Sequence, residues 1–524
     1  MHIHRYSGPL TKAFVQATDF KPRKAVLGFL LALASLACMS VTAEETSMSQ
    51  LTEDRRAELE IALTHDIGRT VNTSRHFSEQ VKDINLLISF DIPENEIVVE
   101  LGEEYGMLSR GSEMEDLEDL ISNDIRFQLE GVVSFDLIDF RFGGKDMYFY
   151  FPEERPEPES KPAMQVSTLT GPLMESPPRV VVTAGHGVYR NYQWNDWRAQ
   201  RDEHNGITED YLTPAYADVL EQLLKLRSGV DVLRARTFRG PPHYSNRLWA
   251  DLSARYHLQA LYPELPAIWH SLPQSTDSMR ERDEGLRTTP LYANHIGAKA
   301  LINLHTNGGE TSATGVQVLF HEKKIESAKL ADSILCAMKE QIHTDDRWKG
   351  YRVPDKGHAV RNKAETRLGN MPSVIVEAGF HTNPNDAEML TNRRFQLLSM
   401  RGVEKGYRLY SEGKTCAPLE LKEIVSAPGN TGSKVPVAVH FNGHPQFPVR
   451  VIKETLSCPE GWSCLKEKTD RYELPQPSPL AYESNCPSYQ SQDTVTAVQR
   501  LTMIDTDGVI TSAEHSFVCN KGGA

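Results

Sequence analysis

RVVVTAGHG, residues 179–187, is a β-branched run that stops at a histidine set between two glycines. Three successive valines indicate a strand buried on both faces, and strands of that kind belong to sheets covered by helices on each side. The same texture returns at VDVLRAR (230–236), AKALINLHTN (298–307), VQVLFHE (316–322) and SVIVEAGF (373–380). Between the first two runs, Leu212, Tyr216, Val219, Leu220, Leu223 and Leu224 recur at helical spacing and make one buried stripe. Further helices are expected over about 325–342 and 393–411. Strand–helix alternation over residues 179–415 therefore predicts an α/β fold, a mostly parallel sheet with helices on both faces.

Outward from this body the texture changes twice. Residues 44–151 begin with a polar helical stretch, Leu51 to about Ile67, and continue with apolar or alternating runs at 84–92, 96–101 and 131–141. An acidic segment around 112–123 is expected on a helix between them, its carboxylates forming a solvated face. This predicts a small N-terminal α+β domain. Residues 152–178 are rich in Pro and Glu without apolar periodicity, which predicts a stiff, extended linker. Beyond Cys416, Val435, Val437, Val439 and Phe441 alternate with polar neighbours, as do Phe447, Val449 and Val451. TVTAVQRLTMI (494–504) runs toward Asp507-Gly508, a hairpin signal, so residues 416–524 are expected to form a disulfide-bonded β-sandwich.

Composition narrows the function classes. The chain has 524 residues, 39% hydrophobic and 24% charged, which implies several domains rather than a disordered chain. A net charge of −14 argues against a nucleic-acid partner held by phosphate neutralisation. Residues 25–37, AVLGFLLALASLA, follow Lys21, Arg23 and Lys24 and fall short of the roughly 20 helical residues a bilayer requires. With Val41-Thr42-Ala43 behind them they predict a signal peptide over 1–43, export to the periplasm or outside the cell, and no transmembrane segment in the mature chain. Lipidation at Cys38 is the lesser alternative, since Ser35 stands where a lipobox has Leu. The other six cysteines suit disulfides in an exported protein. The connectivity is open, with Cys458–Cys464, Cys486–Cys519 and Cys336–Cys416 the expected pairs.

Four residues of the body share one address. His186 follows the first strand, His305 and Glu377 lie toward the ends of two others, and Glu209 enters the amphipathic helix behind Thr208, a candidate N-cap. Ligands of open α/β sheets bind beyond the carboxyl ends of the strands. Two imidazoles and one carboxylate meeting there would make a catalytic zinc site with an open position, leaving the second carboxylate to act on water. Each residue also has a plainer reading: a hydrogen-bonded packing histidine, a first-turn helix acid, or a rival ligand in Glu203. Glu377, behind Val-Ile-Val, is the costliest to bury without a partner.

The stretches VVVTAGHG, GITEDYLTPAYADVL, ANHIGAKALINLHTNGG and RLGNMPSVIVEAGFHTNPNDAEML, in that order over roughly 179–412, resemble the zinc-dependent N-acetylmuramoyl-L-alanine amidases, the family-3 cell-wall amidases. The resemblance implies Zn²⁺ as cofactor, His186, Glu209 and His305 as its ligands, and Glu377 as the catalytic glutamate. It implies cleavage of the amide between N-acetylmuramic acid and L-alanine of peptidoglycan. Asn307 and Arg367 are expected to contact the stem peptide or shape the groove, or else to cap and fill the surface. His381 stands where the family commonly has an aliphatic residue. Residues 237–285 interrupt the resemblance with FRGPPHYSNRLWADL and LYPELPAIWHSL, to be read as a lid, a substrate wall, an autoinhibitory helix or a surface loop. A protein activator or wall-anchoring partner is the expected use of the flanking domains. The rival functions are another zinc peptidase acting on wall peptides and a catalytically degenerate wall-binding protein.

Overall fold

The structure is a computed structural model that describes residues 46–74, 83–159, 176–457, 466–486 and 494–521. The expected signal peptide, the Cys458–Cys464 pair and residues 160–175 of the expected linker lie outside the described residues.

The N-terminal unit comprises α1 (Glu53–Thr73), β1 (Leu86–Asp91), β2 (Glu96–Leu101), α2 (Ser112–Leu129) and β3 (Leu137–Phe142). Thr52 starts α1 by accepting a hydrogen bond from the Arg55 backbone, and Leu63, Ile67 and Val71, four residues apart, bury one face. The three strands pair in the order β1-β2-β3, antiparallel and then parallel. Met114, Leu117, Ile121 and Ile125 of α2 pack into the same core. The other side of α2 is where expectation and structure part: Glu115, Glu118 and Asn123 are buried there rather than solvated.

The body is built on β4 (Arg179–Ala184), α3 (Glu209–Leu223), β5 (Asp231–Arg234), α4 (Arg280–His295), β6 (Ala300–Asn307), β7 (Gln317–His321), α5 (Ile325–Ile342), β8 (His358–Val360), β9 (Ser373–Phe380) and α6 (Arg393–Ser411). The sheet order is β8-β7-β9-β6-β4-β5. Strands β5, β4, β6 and β9 are mutually parallel, but β7 pairs antiparallel with β9, so the sheet is mixed. The connection over 308–316 is too short for a crossover, which needs about a dozen residues, and the chain has to run back beside β9.

Alternation along each strand sends its side chains to two covers. Val180, Val182, Ile302, Leu304, Val374 and Val376 meet residues of α3, α5 and α6. Val181 and Leu301 face the other way, onto Ala254, Leu258, Ile268, Tyr292 and Ala293. Thus part of the 237–285 insertion, the helices Ala254–Leu261 and Pro266–Trp269, joins α4 as the second cover of the sheet. The start of the expected linker is also docked. Glu154 accepts from Arg287 at 2.8 Å and from Arg367 at 3.0 Å, while Glu159 accepts from the backbone of Glu326 and Ser327 at the head of α5.

The C-terminal unit consists of a three-stranded sheet (Glu420–Ser426, Lys434–Asn442, Leu480–Asn485) and a five-stranded one built around the hairpin Thr494–Ile504/Ile510–Asn520. Val437, Val439, Phe441, Val449, Val451, Leu501 and Met503 fill a common core. Two of the expected disulfides are formed, Cys336–Cys416 and Cys486–Cys519. No helix among the described residues is long and apolar enough to cross a membrane.

Candidate active site

β4 ends at Ala184, and the chain turns at once through His186, whose φ of 61° lies in the left-handed region that non-glycine residues seldom adopt. Asp210 fixes this turn. Its buried carboxylate accepts from the backbone of Gly187 and Gln200 at 2.9 Å each, and from that of Arg201 at 3.0 Å. Glu209, the first residue of α3, points toward the same rim; Thr208 occupies the N-cap position without a side-chain cap bond. His305 stands near the end of β6 and pairs in register with Glu377 of β9. A Cβ added at Gly185 would lie 2.2 Å from His305 Cε1, so glycine there leaves the ring its place.

These elements bring His186, Glu209 and His305 together, with one ligand atom of each lying within 4.8 Å of the others. His305 Nδ1 is 3.1 Å from His186 Nε2 and 3.1 Å from Glu209 Oε1, and His186 Nε2 is 3.4 Å from Glu209 Oε2. All three residues are buried. Glu203, the rival ligand, is exposed and outside this group.

The electrostatics favour a cation. Burial, then Arg201 and His305, hold the His186 imidazole well below its ordinary pKa. Burial also opposes charge on His305, yet Glu365 and Glu209 outweigh it and raise the pKa of that ring well above its ordinary value. Glu377 is buried, and its Oε2 has no hydrogen-bond partner among the described residues. Burial pushes its carboxyl up to about 8, against the pull of His305 and with the help of Glu209. Two imidazole nitrogens, a carboxylate and a second buried carboxylate with one unsatisfied oxygen are a donor set that suits Zn²⁺.

Glu365 escaped the sequence reading. Its Oε2 lies 3.0 Å from His305 Nε2, the nitrogen turned away from the three-residue group. Carboxylates in that position orient ligand imidazoles. Nothing in Lys-Ala-Glu-Thr-Arg (363–367) distinguishes this acid from a surface one.

A cavity of about 440 Å³ opens above the group, bordered also by Glu377, Asn307 and His381. Asn307 is held by Gln317 at 3.1 Å and by Asn123 of α2, whose Nδ2 donates to Asn307 Oδ1 at 2.7 Å. His381 Nδ1 is 3.0 Å from Thr306 Oγ1. Arg367, expected at the stem peptide, has no exposed surface and does not border the cavity. It is held by Glu154, in the docked stretch after Phe151, at 3.0 Å and by its near neighbour Asn362 Oδ1 at 2.7 Å.

Comparison with known proteins follows this geometry. A family model described as N-acetylmuramoyl-L-alanine amidase matches residues 273–407, which include His305 and Glu377 but neither His186 nor Glu209. The uncharacterized protein YqiI of Bacillus subtilis (strain 168) is 28% identical over 115 residues, 22% of this chain; the chain spans about half, 52%, of the length of that curated relative. Among solved structures, an N-acetylmuramoyl-L-alanine amidase from Clostridium difficile 630 is 18% identical, covering 44% of this chain and 96% of that one with a TM-score of 0.31. The CwlD amidase from Clostridioides difficile, solved in complex with the GerS lipoprotein, is 18% identical over 44% of this chain and 98% of that one, with a TM-score of 0.32. Over residues 273–407, the part of the α/β body that carries His305 and Glu377, the chain is thus similar to the N-acetylmuramoyl-L-alanine amidase family.

Proposed function

We propose that the chain is a zinc hydrolase that cleaves the amide between N-acetylmuramic acid and L-alanine of peptidoglycan stem peptides, acting after export in the periplasm or outside the cell. The observation that carries this reading is the cluster of three ligand atoms within 4.8 Å beside a buried carboxylate with one free oxygen. His186, Glu209 and His305 would hold the ion, and Glu365 would fix the His305 ring. Bound there, zinc lowers the pKa of a water toward about 7 and polarises a carbonyl. Glu377 takes a proton from the attacking water as its oxygen bonds to the carbonyl carbon. It returns that proton to the amide nitrogen as the C–N bond breaks, releasing an amine and a carboxylate. A carboxyl held near neutrality, as burial holds Glu377, is matched to accepting and then giving up a proton.

The test is zinc analysis paired with product analysis on purified peptidoglycan. Intact stem peptides freed from glycan support the reading. Cuts between amino acids would assign a wall peptidase instead, and a protein that retains no zinc would be a degenerate wall binder. Glu377→Gln is expected to lower hydrolysis by at least about 10²-fold, the scale of general acid–base assistance, while zinc content is unchanged. Loss of zinc in that variant would make Glu377 a ligand rather than the base.

A further inference from the structure

The cavity over the three-residue group has a second wall, and that wall comes from another part of the chain. Glu115, Asp116 and Asp119 of α2 border it together with His186, Glu209 and Glu377. Facing them are three cations of the body, also bordering the cavity: Arg201 from the loop before α3, Arg282 in the first turn of α4, and Lys363 just before the short helix Ala364–Arg367. Each is taken by α2. Arg201 Nη2 lies 2.7 Å from Asp116 Oδ1 in an ion pair, and Arg282 pairs with the other oxygen of the same carboxylate. Lys363 Nζ donates to Asp119 Oδ2 at 2.5 Å and to the Glu115 carbonyl oxygen at 2.8 Å.

Three cations drawn from separate segments and gathered at one cavity, in a chain whose net charge is −14, require an explanation. Arg201 Nε approaches Glu209 at 3.8 Å, and all three cations border the cavity that Glu209 and Glu377 border, within reach of a ligand bound there. A cluster of like charges is costly unless anions neutralise it, and Asp116 and Asp119 supply those anions from within the chain.

The apolar core of the N-terminal unit contains no residue of the body. Ion pairs and hydrogen bonds join α2 and its sheet to the body, including Ser112 with Asp283, Asn362 with Glu118, Asn123 with Asn307, and Arg361 with Asp139. Polar interfaces between units of one chain permit relative motion of those units, and a carboxylate-bearing ligand can replace Asp116 and Asp119 at the three cations.

We propose that Arg201, Arg282 and Lys363 form a subsite for the carboxylates of a peptide ligand, and that α2 is its internal occupant, so that the N-terminal unit is a displaceable cover of the cavity. This rests on the hydrolase reading only in naming the ligand as a carboxylate-bearing stem peptide. Asp116 and Asp119 compete with that peptide for the same three cations. The cover is therefore provided by α2 and not by the 237–285 insertion.

Binding tests this without needing turnover. The full exported chain is titrated with the tripeptide L-alanyl-γ-D-glutamyl-L-lysine and with its analogue in which both carboxyls are amides, while amide hydrogen exchange is followed over residues 112–129. Asp116→Asn/Asp119→Asn is expected to bind the acidic tripeptide at least tenfold more tightly than the parent chain, and Arg282→Gln in that background to abolish the gain. In the parent chain the acidic tripeptide should accelerate exchange in α2, and the diamide should not. Affinities within twofold for parent and double variant, or equal binding of the diamide, would overturn the proposal. If the double variant does not fold, as judged by its melting curve, Asp119→Asn alone and the exchange experiment on the parent chain decide. Carboxylate-dependent binding without wall hydrolysis would remove the amidase reading and leave the subsite. Hydrolysis with binding indifferent to the carboxyls would do the reverse.

Discussion

Gly185 shows how little room the candidate metal group has. A methyl group there would overlap the His305 ring at 2.2 Å, and His305 is boxed in by Glu209 on one nitrogen and Glu365 on the other. Gly185→Ala therefore has to displace a ligand rather than a flexible neighbour. Zinc retained after dialysis against a chelator should fall at least tenfold, and overpacking should cost about 1–3 kcal/mol of stability as well. Glu365→Gln keeps the size of the side chain and removes its charge, so it is expected to weaken zinc affinity about 10- to 100-fold, the usual scale for partners of ligand histidines. An affinity unchanged in Glu365→Gln would show that Glu209 alone orients His305. His186, Glu209, His305 and Glu377 could be named from the sequence because each lies near the end of a strand or at the start of a helix, and because the stretches that hold them resemble the family-3 amidases. Glu365 could not, since its role is created by where β9 and β6 set His305.

Helix α2 carries the clearest lesson among the elements. Its apolar positions announce a helix packed on the N-terminal sheet, but an acidic face reads the same whether water or an arginine lies opposite. The consequence is measurable in pH. Burial pushes the Glu118 carboxyl up to about 8 from 4.5, so the folded chain keeps a proton that the unfolded chain releases. Stability from this group is complete below about pH 4.5 and is lost as pH rises through about 8. Each unit of displacement is worth about 1.4 kcal/mol. Between about pH 5 and pH 8.5 the melting temperature of the parent chain should fall relative to that of Glu118→Gln, which holds its neutral side chain at every pH. Parallel curves would mean that Glu118 is ionised in the fold. The runs of Val and Ile likewise made β4, β6 and β9 readable, whereas the direction of β7 depends on the length of the 308–316 connection, which carries no residue pattern. At α6, Gly402 and Gly406 let the helix approach α5 closely, since added Cβ atoms would lie 2.4 Å from Met338 Cα and 2.5 Å from Ile334 Cα. Gly406→Ala should cost about 1–3 kcal/mol, the range for overpacking, read from denaturant midpoints.

Across the whole molecule, the C-terminal sandwich meets the body through a polar seam and one covalent tie, and these hold it in different ways. Arg227, at the end of the helical segment after α3, bonds Asp507 at 2.6 Å and Glu404 at 3.0 Å, and both carboxylates are buried. Leu419 donates its backbone N–H to Glu340 Oε1 at 3.0 Å beside Cys416, which is bonded to Cys336 of α5. The disulfide spans 80 residues, and in the chain-entropy account a loop of that size restricts the unfolded chain by about 4 kcal/mol. That contribution resides in the unfolded state and leaves the folded seam as it is. Arg227→Ala acts on the folded side: it takes the nearest cation from buried Asp507, leaving Arg401 at 3.8 Å, while Glu404 keeps Arg408 at 2.9 Å, at a cost of up to about 3–5 kcal/mol. The two losses are similar in size but should differ in form. Cys336→Ser/Cys416→Ser is expected to melt at a lower temperature in one transition. Arg227→Ala should separate the sandwich first and melt in two, with proteolysis near residues 412–418 appearing between them. Neither change touches the cavity, so wall hydrolysis per folded molecule should survive both. A single transition in Arg227→Ala together with two in the cysteine variant would assign the docking of the sandwich to the covalent tie rather than to the seam.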